Sequence, residues 1–119
     1  MNKEQYFQKL RDKFEHGLEL MKRKNPDDAG EEDPFKNFRA AEMLGMSVER
    51  GILVRMSDKL SRAANLLKTK ENDDIQGRDV RVSDESIEDT LVDLMNYSNI
   101  LTVYLMTKKE TLDPTVKTQ

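Results

Sequence analysis

Apolar residues recur at three- and four-residue spacing in three long stretches of this chain, and only Val80-Arg81-Val82 shows a brief alternation of the kind a strand would need. In the first stretch, Lys3 to Lys24, Phe7, Leu10, Phe14, Leu18 and Met21 fall along one side of a helix and charged residues crowd the other. The pattern predicts a first, core-facing amphipathic helix. It then breaks at Asn25–Pro34, where two prolines, a glycine and a run of acids specify a loop. Such a loop is either a connector or a flap over a ligand. Asp33-Pro34 reads as an N-cap followed by proline at the first helical position. Phe35, Phe38, Ala41 and Leu44 then give a short helix that stops at Gly45.

Ser47 reads as the N-cap of a third segment, Val48 to about Lys70, whose apolar face is Leu53, Met56, Leu60, Ala63 or Ala64, and Leu67. Gly51 weakens its first turns. Glu71 to Val82 is polar and reads as a loop with a few extended residues, from which Arg78 and Arg81 can reach a phosphate. The last helix is predicted from Ser83, as N-cap, to Lys109. Asp84 and Glu85 in its first turn and Lys108 and Lys109 in its last both suit the helix dipole. Ile87, Leu91, Leu94, Leu101 and Leu105 line one side of it, and Glu85, Asp89, Asp93 and Asn96 line another at i, i+4, i+8 and i+11. From Thr111 onward no apolar period remains, so 111–119 reads as a frayed tail. The predicted fold is all-α, a bundle of three long helices and one short helix forming a single domain over 1–110.

The acidic side of the last helix has a cost, because carboxylates at i and i+4 repel by a few tenths of a kcal/mol per pair. A divalent cation such as Mg²⁺ or Mn²⁺, which prefers hard oxygen ligands, would relieve it; in a chain where charged residues make up 36%, a solvated face is the plain alternative. On the third segment Arg55, Asp58, Lys59 and Arg62 cluster within two turns. They read either as intrahelical ion pairs or as one metal-binding carboxylate beside phosphate-binding cations.

Composition trims the alternatives. The 119 residues make one domain's worth of chain, and a net charge of −3 gives no general attraction to nucleic-acid polymers. No apolar run approaches the ~20 residues that span a bilayer. There is no cysteine for a disulfide or a thiolate zinc site, and His16 is the only histidine, which leaves a histidine-based triad poorly supported. The N-terminus lacks the apolar core of a signal peptide, so a cytoplasmic location is expected, that of the host if the chain is phage-encoded.

Two runs carry a resemblance. M-S-V-E-R-G-I-L-V-R-M-S-D-K-L-S-R-A-A-N-L-L (Met46 to Leu67) and D-E-S-I-E-D-T-L-V-D-L-M-N-Y (Asp84 to Tyr97) resemble the phage and bacterial nucleotide-modification-associated domain. That domain belongs with the all-α, MazG-like nucleoside triphosphate pyrophosphohydrolases, whose phage members include dATP/dGTP pyrophosphohydrolases. Lys24 to Phe38 looks like the same domain's loop and short helix, so the resemblance reaches from Lys24 to Tyr104.

In that superfamily an E-E-x-x-E helix and a later E-x-x-D helix hold divalent cations on a triphosphate. Asp93, followed by Asn96 and Tyr97, is similar to the end of the second motif, with Asp89 or Glu88 in place of its leading glutamate and Thr90 standing three before Asp93. The first motif is not present as such. Asp58 is the one acid between Arg55 and Lys68, and Glu49 lies two turns earlier on a different face.

The resemblance implies Mg²⁺- or Mn²⁺-dependent hydrolysis of a purine deoxynucleoside triphosphate, dATP or dGTP, to monophosphate and pyrophosphate in phage nucleotide metabolism. The alternative is a nucleotide-sequestering protein that no longer hydrolyses. The expected catalytic and metal-binding residues are Asp58, Glu85, Asp89 and Asp93. Lys59, Arg62 and Arg81 are expected on the phosphates and Asn96 and Tyr97 on sugar or base, with Asn25 and Phe38 closing the pocket. A homo-oligomer, dimer or tetramer, is expected from the same resemblance and from Met95, Ile100 and Tyr104, which lie outside the main apolar stripe of the last helix.

Overall fold

The computed structural model describes residues 1–24 and 33–112, and all its regular elements are helical: α1 (Lys3–Lys24), a 3₁₀ helix (Lys36–Leu44), α2 (Val48–Ile75) and α3 (Arg81–Leu112). The all-α expectation holds, with three long helices and one short. No strand occurs among the described residues, and none of their helices is long and apolar enough to cross a membrane. The chain divides into two compact units, Met1–Glu32 and Asp33–Gln119.

In the first unit α1 opens with a reciprocal cap. The Asn2 side chain accepts the Gln5 N–H at 2.8 Å and the Gln5 side chain accepts the Asn2 N–H at 3.0 Å, which satisfies donors that a helix start otherwise leaves bare. It closes on Lys22, Arg23 and Lys24 at the negative end of the dipole. Its boundaries match the periodicity, but Phe7, Phe14 and Leu18 are each about half exposed. α1 is the one described helix of its unit, and a lone helix has no second layer to receive its stripe.

The second unit is an antiparallel α2–α3 hairpin with the 3₁₀ helix laid on it. Ser47 caps α2 as the sequence suggests, its side chain accepting the Arg50 N–H at 3.2 Å. α2 runs past Lys70 to Ile75, through residues read as loop. It ends where Gly77, at φ +71°, donates to the Asp74 carbonyl and Arg78 donates to the Asp73 carbonyl, the paired bonds of a Schellman closure. Gly45, at φ +75°, ends the 3₁₀ helix in the same way, with Gly45 N–H on Glu42 and Met46 N–H on Ala41. Asp33 does not sit on an α-helical first turn. Its carboxylate accepts the Phe35 N–H at 3.0 Å and grips Arg39, and the helix begins only at Lys36. α3 starts at Arg81, ahead of Ser83, because the Asp79 side chain accepts the Arg81 N–H at 3.0 Å.

Three ion pairs tie the hairpin across its length: Glu49 to Lys108 at 2.8 Å, Lys59 to Asp93 at 3.2 Å, and Lys70 to Asp84. The seam between them agrees with the expected faces at Met56, Ala63, Ile87, Leu94 and Leu101, which are buried or part-buried, and differs elsewhere. α2 turns Val48, Ile52, Met56, Lys59, Ala63, Leu66 and Lys70 inward, while Leu53, Leu60 and Leu67 stay about half exposed. On α3 the buried side chains are Thr90, Val92 and Asn96, and Leu91 and Leu105 are about half exposed. α2 carries two apolar stripes about 80° apart, and the one with β-branched and small residues packs closer to a neighbouring helix than the leucine-rich one.

The 3₁₀ helix sits on this seam through its phenylalanines. Phe35 is buried edge-on to Tyr104 with ring centroids 5.0 Å apart, and Phe38 meets Tyr97 at 6.2 Å. Tyr104, expected at an intermolecular surface, is thus used inside the chain. Close approach of the 3₁₀ helix to α2 explains Gly51, since a Cβ there would lie 2.8 Å from the Cβ of Ala41.

Candidate functional site

The residues read as functional sort themselves by helix geometry. On α2, Arg55, Asp58 and Arg62 lie on the flank roughly opposite Leu53, Leu60 and Leu67, with Lys59 between that flank and the seam. On α3, Asp89, Asp93 and Asn96 share a flank at i, i+4 and i+7. Lys59 joins the two helices through its 3.2 Å bond to Asp93, both side chains being about a quarter to a third exposed. Phe38 and Tyr97 stand beside this rung, and Arg55 completes the edge. Its guanidinium lies 4.7 Å over the Phe38 ring and donates to the Asn37 carbonyl at 3.2 Å. The result is a half-buried carboxylate and ammonium next to an aromatic pair capped by a second cation.

Other expected members face solvent or are engaged away from the rung. Glu85 and Asp89 are exposed, as are Asp58 and Arg62. Arg81 folds back on Asp79, to which its guanidinium donates at 2.7 Å, at the hairpin turn. That contact holds the Asp79 carboxyl below its ordinary value and the arginine above. Asn25 lies outside the described residues. Asn96 is buried, at 7% exposure, which limits its reach to a ligand unless the flank opens.

Among the described residues no group of three or more His, Cys, Asp or Glu side chains is placed to hold a metal ion. Asp93 is held by Lys59. Thr90, three residues before Asp93, is 3% exposed and donates its hydroxyl to the Ser86 carbonyl at 2.7 Å. A carboxylate there would be desolvated.

Sequence reasoning missed one participant, Arg55, and one pairing, that of Lys59 with Asp93. Arg55 was visible as part of a basic cluster, but its seat on Phe38 depends on a fold-back of the 3₁₀ helix that no local pattern announces. Lys59 was read as a phosphate ligand, and its partner Asp93 lies 34 positions away, on the neighbouring helix. No protein-family model, no curated protein and no solved structure matches the chain.

Proposed function

We propose that the flank shared by α2 and α3 binds a nucleoside triphosphate, a purine deoxynucleotide being the expected class, together with Mg²⁺ or Mn²⁺, and hydrolyses it to the monophosphate and pyrophosphate. The observation that carries this reading is the Lys59–Asp93 rung beside the Arg55–Phe38–Tyr97 edge. A cation that reaches a carboxylate across two helices can release it for phosphate oxygens, Arg62 adds charge one turn on, and an aromatic edge suits a base. The base class and the reaction rest on the resemblance.

A second reading, a protein that holds the nucleotide without cleaving it, is favoured by the same rung and by the scattering of Asp58, Glu85 and Asp89. Titrating dATP, dGTP, dCTP and dTTP with Mg²⁺ or Mn²⁺, while following pyrophosphate release, separates the two. Binding with release supports hydrolysis, and binding without release supports sequestration. No binding of any of the four removes both. Arg62→Ala is expected to weaken all four about tenfold, the equivalent of ~1.4 kcal/mol. Unchanged cation and nucleotide affinity in Asp93→Asn would mean the site is elsewhere.

A further inference from the structure

We infer that α1 is an interfacial helix that lays its apolar arc on a lipid bilayer carrying anionic headgroups. At ~100° per residue, Tyr6, Phe7, Leu10, Phe14, Leu18 and Met21 fall within an arc of ~120° that runs the length of Lys3–Lys24. Leu10 and Met21, in the middle of the arc, are part-buried, while Tyr6, Phe7, Phe14 and Leu18 each stay about half exposed. A continuous arc with three aromatic rings goes beyond the scattered apolar surface that every folded chain shows.

The charges identify what meets this arc. The helix has seven bases and four acids, whereas the rest of the chain has more acids than bases. They are also sorted around it. Lys13 and Lys24 lie along one margin of the arc and Arg11 and Lys22 along the other, each within ~40° of its edge. Asp12, Glu15 and Glu19 lie farther round, with Lys9 and Arg23 among them. Glu4 is the one acid as near the arc, in the first turn where the helix dipole favours it.

Like charges three or four residues apart repel, so a helix in water gains nothing by setting Asp12, Glu15 and Glu19 together. An anionic plane favours both halves of the pattern. Bases at the two margins reach headgroup phosphates on stems laid along apolar surface, and the acids are turned to water. Arg11 meets the Gln8 side chain at 3.0 Å and Lys22 meets Glu19 at 3.4 Å, exposed contacts within one turn that phosphates can replace. A groove on another protein wraps a larger share of a helix and buries its margins, whereas a plane leaves them level with the headgroups. None of these residues belongs to the α2–α3 flank, so this inference stands or falls apart from nucleotide binding.

The full chain should sediment with vesicles of equal parts phosphatidylglycerol and phosphatidylcholine at least ~10-fold more strongly than with phosphatidylcholine alone. Salt at ~0.5 M should remove most of that difference. Phe14→Ser should weaken association at least ~10-fold, and Met43→Ser, 88% exposed on the 3₁₀ helix, should leave it unchanged. Arg11→Gln combined with Lys22→Gln should weaken it at least ~10-fold on the anionic vesicles. Lys68→Gln combined with Lys109→Gln, which removes the same charge from exposed positions on α2 and α3, should not. Circular dichroism of each variant checks the helices. If Phe14→Ser does not fold, Phe14→Trp decides. The chain has no tryptophan, so the emission of Phe14→Trp should shift to the blue with anionic vesicles and be quenched by brominated lipid, and that of Met43→Trp should do neither. Absence of association with the anionic vesicles overturns the inference, whatever else then covers the arc. So does association that Phe14→Ser leaves intact, association that the two double variants lose alike, or a Phe14→Trp emission that vesicles do not change.

Discussion

Gly51 shows how a single position can carry opposite meanings locally and globally. As a helix residue it costs ~1 kcal/mol relative to alanine, and read along the chain it is only a weak point. In the fold it is where the 3₁₀ helix comes within 2.8 Å of where a Cβ would stand, against Ala41. Gly51→Ala is therefore expected to lower the thermal midpoint by several degrees, because overpacking of ~1–3 kcal/mol outweighs the propensity gain. Adding Ala41→Gly should return most of the loss. A midpoint that rises in the single variant would show that the 3₁₀ helix yields freely. The contact was not legible beforehand because it joins positions on two elements whose crossing no local pattern fixes. For the same reason Asp93 could be picked out as a candidate site acid of its helix, but its engagement by Lys59 could not.

Among the elements, helix existence and type were readable from spacing, and the errors concentrate at ends and faces. Ser83 offered a good cap signal, yet Asp79 supplies the bond to the first turn of α3, and Ser83 lies inside the helix. Glu71 to Ile75 lacks apolar rhythm, yet stays helical up to the Gly77 closure. The choice of face failed at Leu53, Leu60 and Leu67, where α2 offers two stripes, since periodicity counts apolar residues and does not say which stripe has a neighbour.

The rung from Glu49 to Lys108 yields a prediction at this scale. Hydrogen bonding and charge from Lys108 hold the Glu49 carboxyl below its ordinary range. A lowered folded pKa means the stabilisation is present above the unfolded value of about 4.3 and is lost as pH falls through the folded one. The Lys108 ammonium is held above its ordinary value, so its share is lost only as pH rises past that range. Thermal melts from pH 7 to pH 3 should therefore show wild type losing stability below about pH 4 more steeply than Glu49→Gln. Parallel curves would mean the rung contributes nothing to folding.

For the whole molecule, the homo-oligomer expected from the resemblance would tie the stability of the hairpin, with its modest core and half-exposed leucines, to assembly. Thermal midpoints should rise with protein concentration, by mass action, and a midpoint independent of concentration would remove that coupling. The all-α class was legible because helical periodicity runs through most of the chain. The division into two compact units was not, since it depends on which contacts form rather than on which helices exist.

The turn at Gly77 has one more consequence. Nothing lies within 4 Å of where its Cβ would be, so Gly77→Ala would meet no clash and only the ~1–2 kcal/mol cost of a left-handed backbone. A chain can also escape that cost by straightening. α2 and α3 would then run on as one rod, and each copy could dock its far arm on its neighbour, remaking between molecules the three rungs now made within one. A left-handed glycine at the turn leaves the closed hairpin free of that cost.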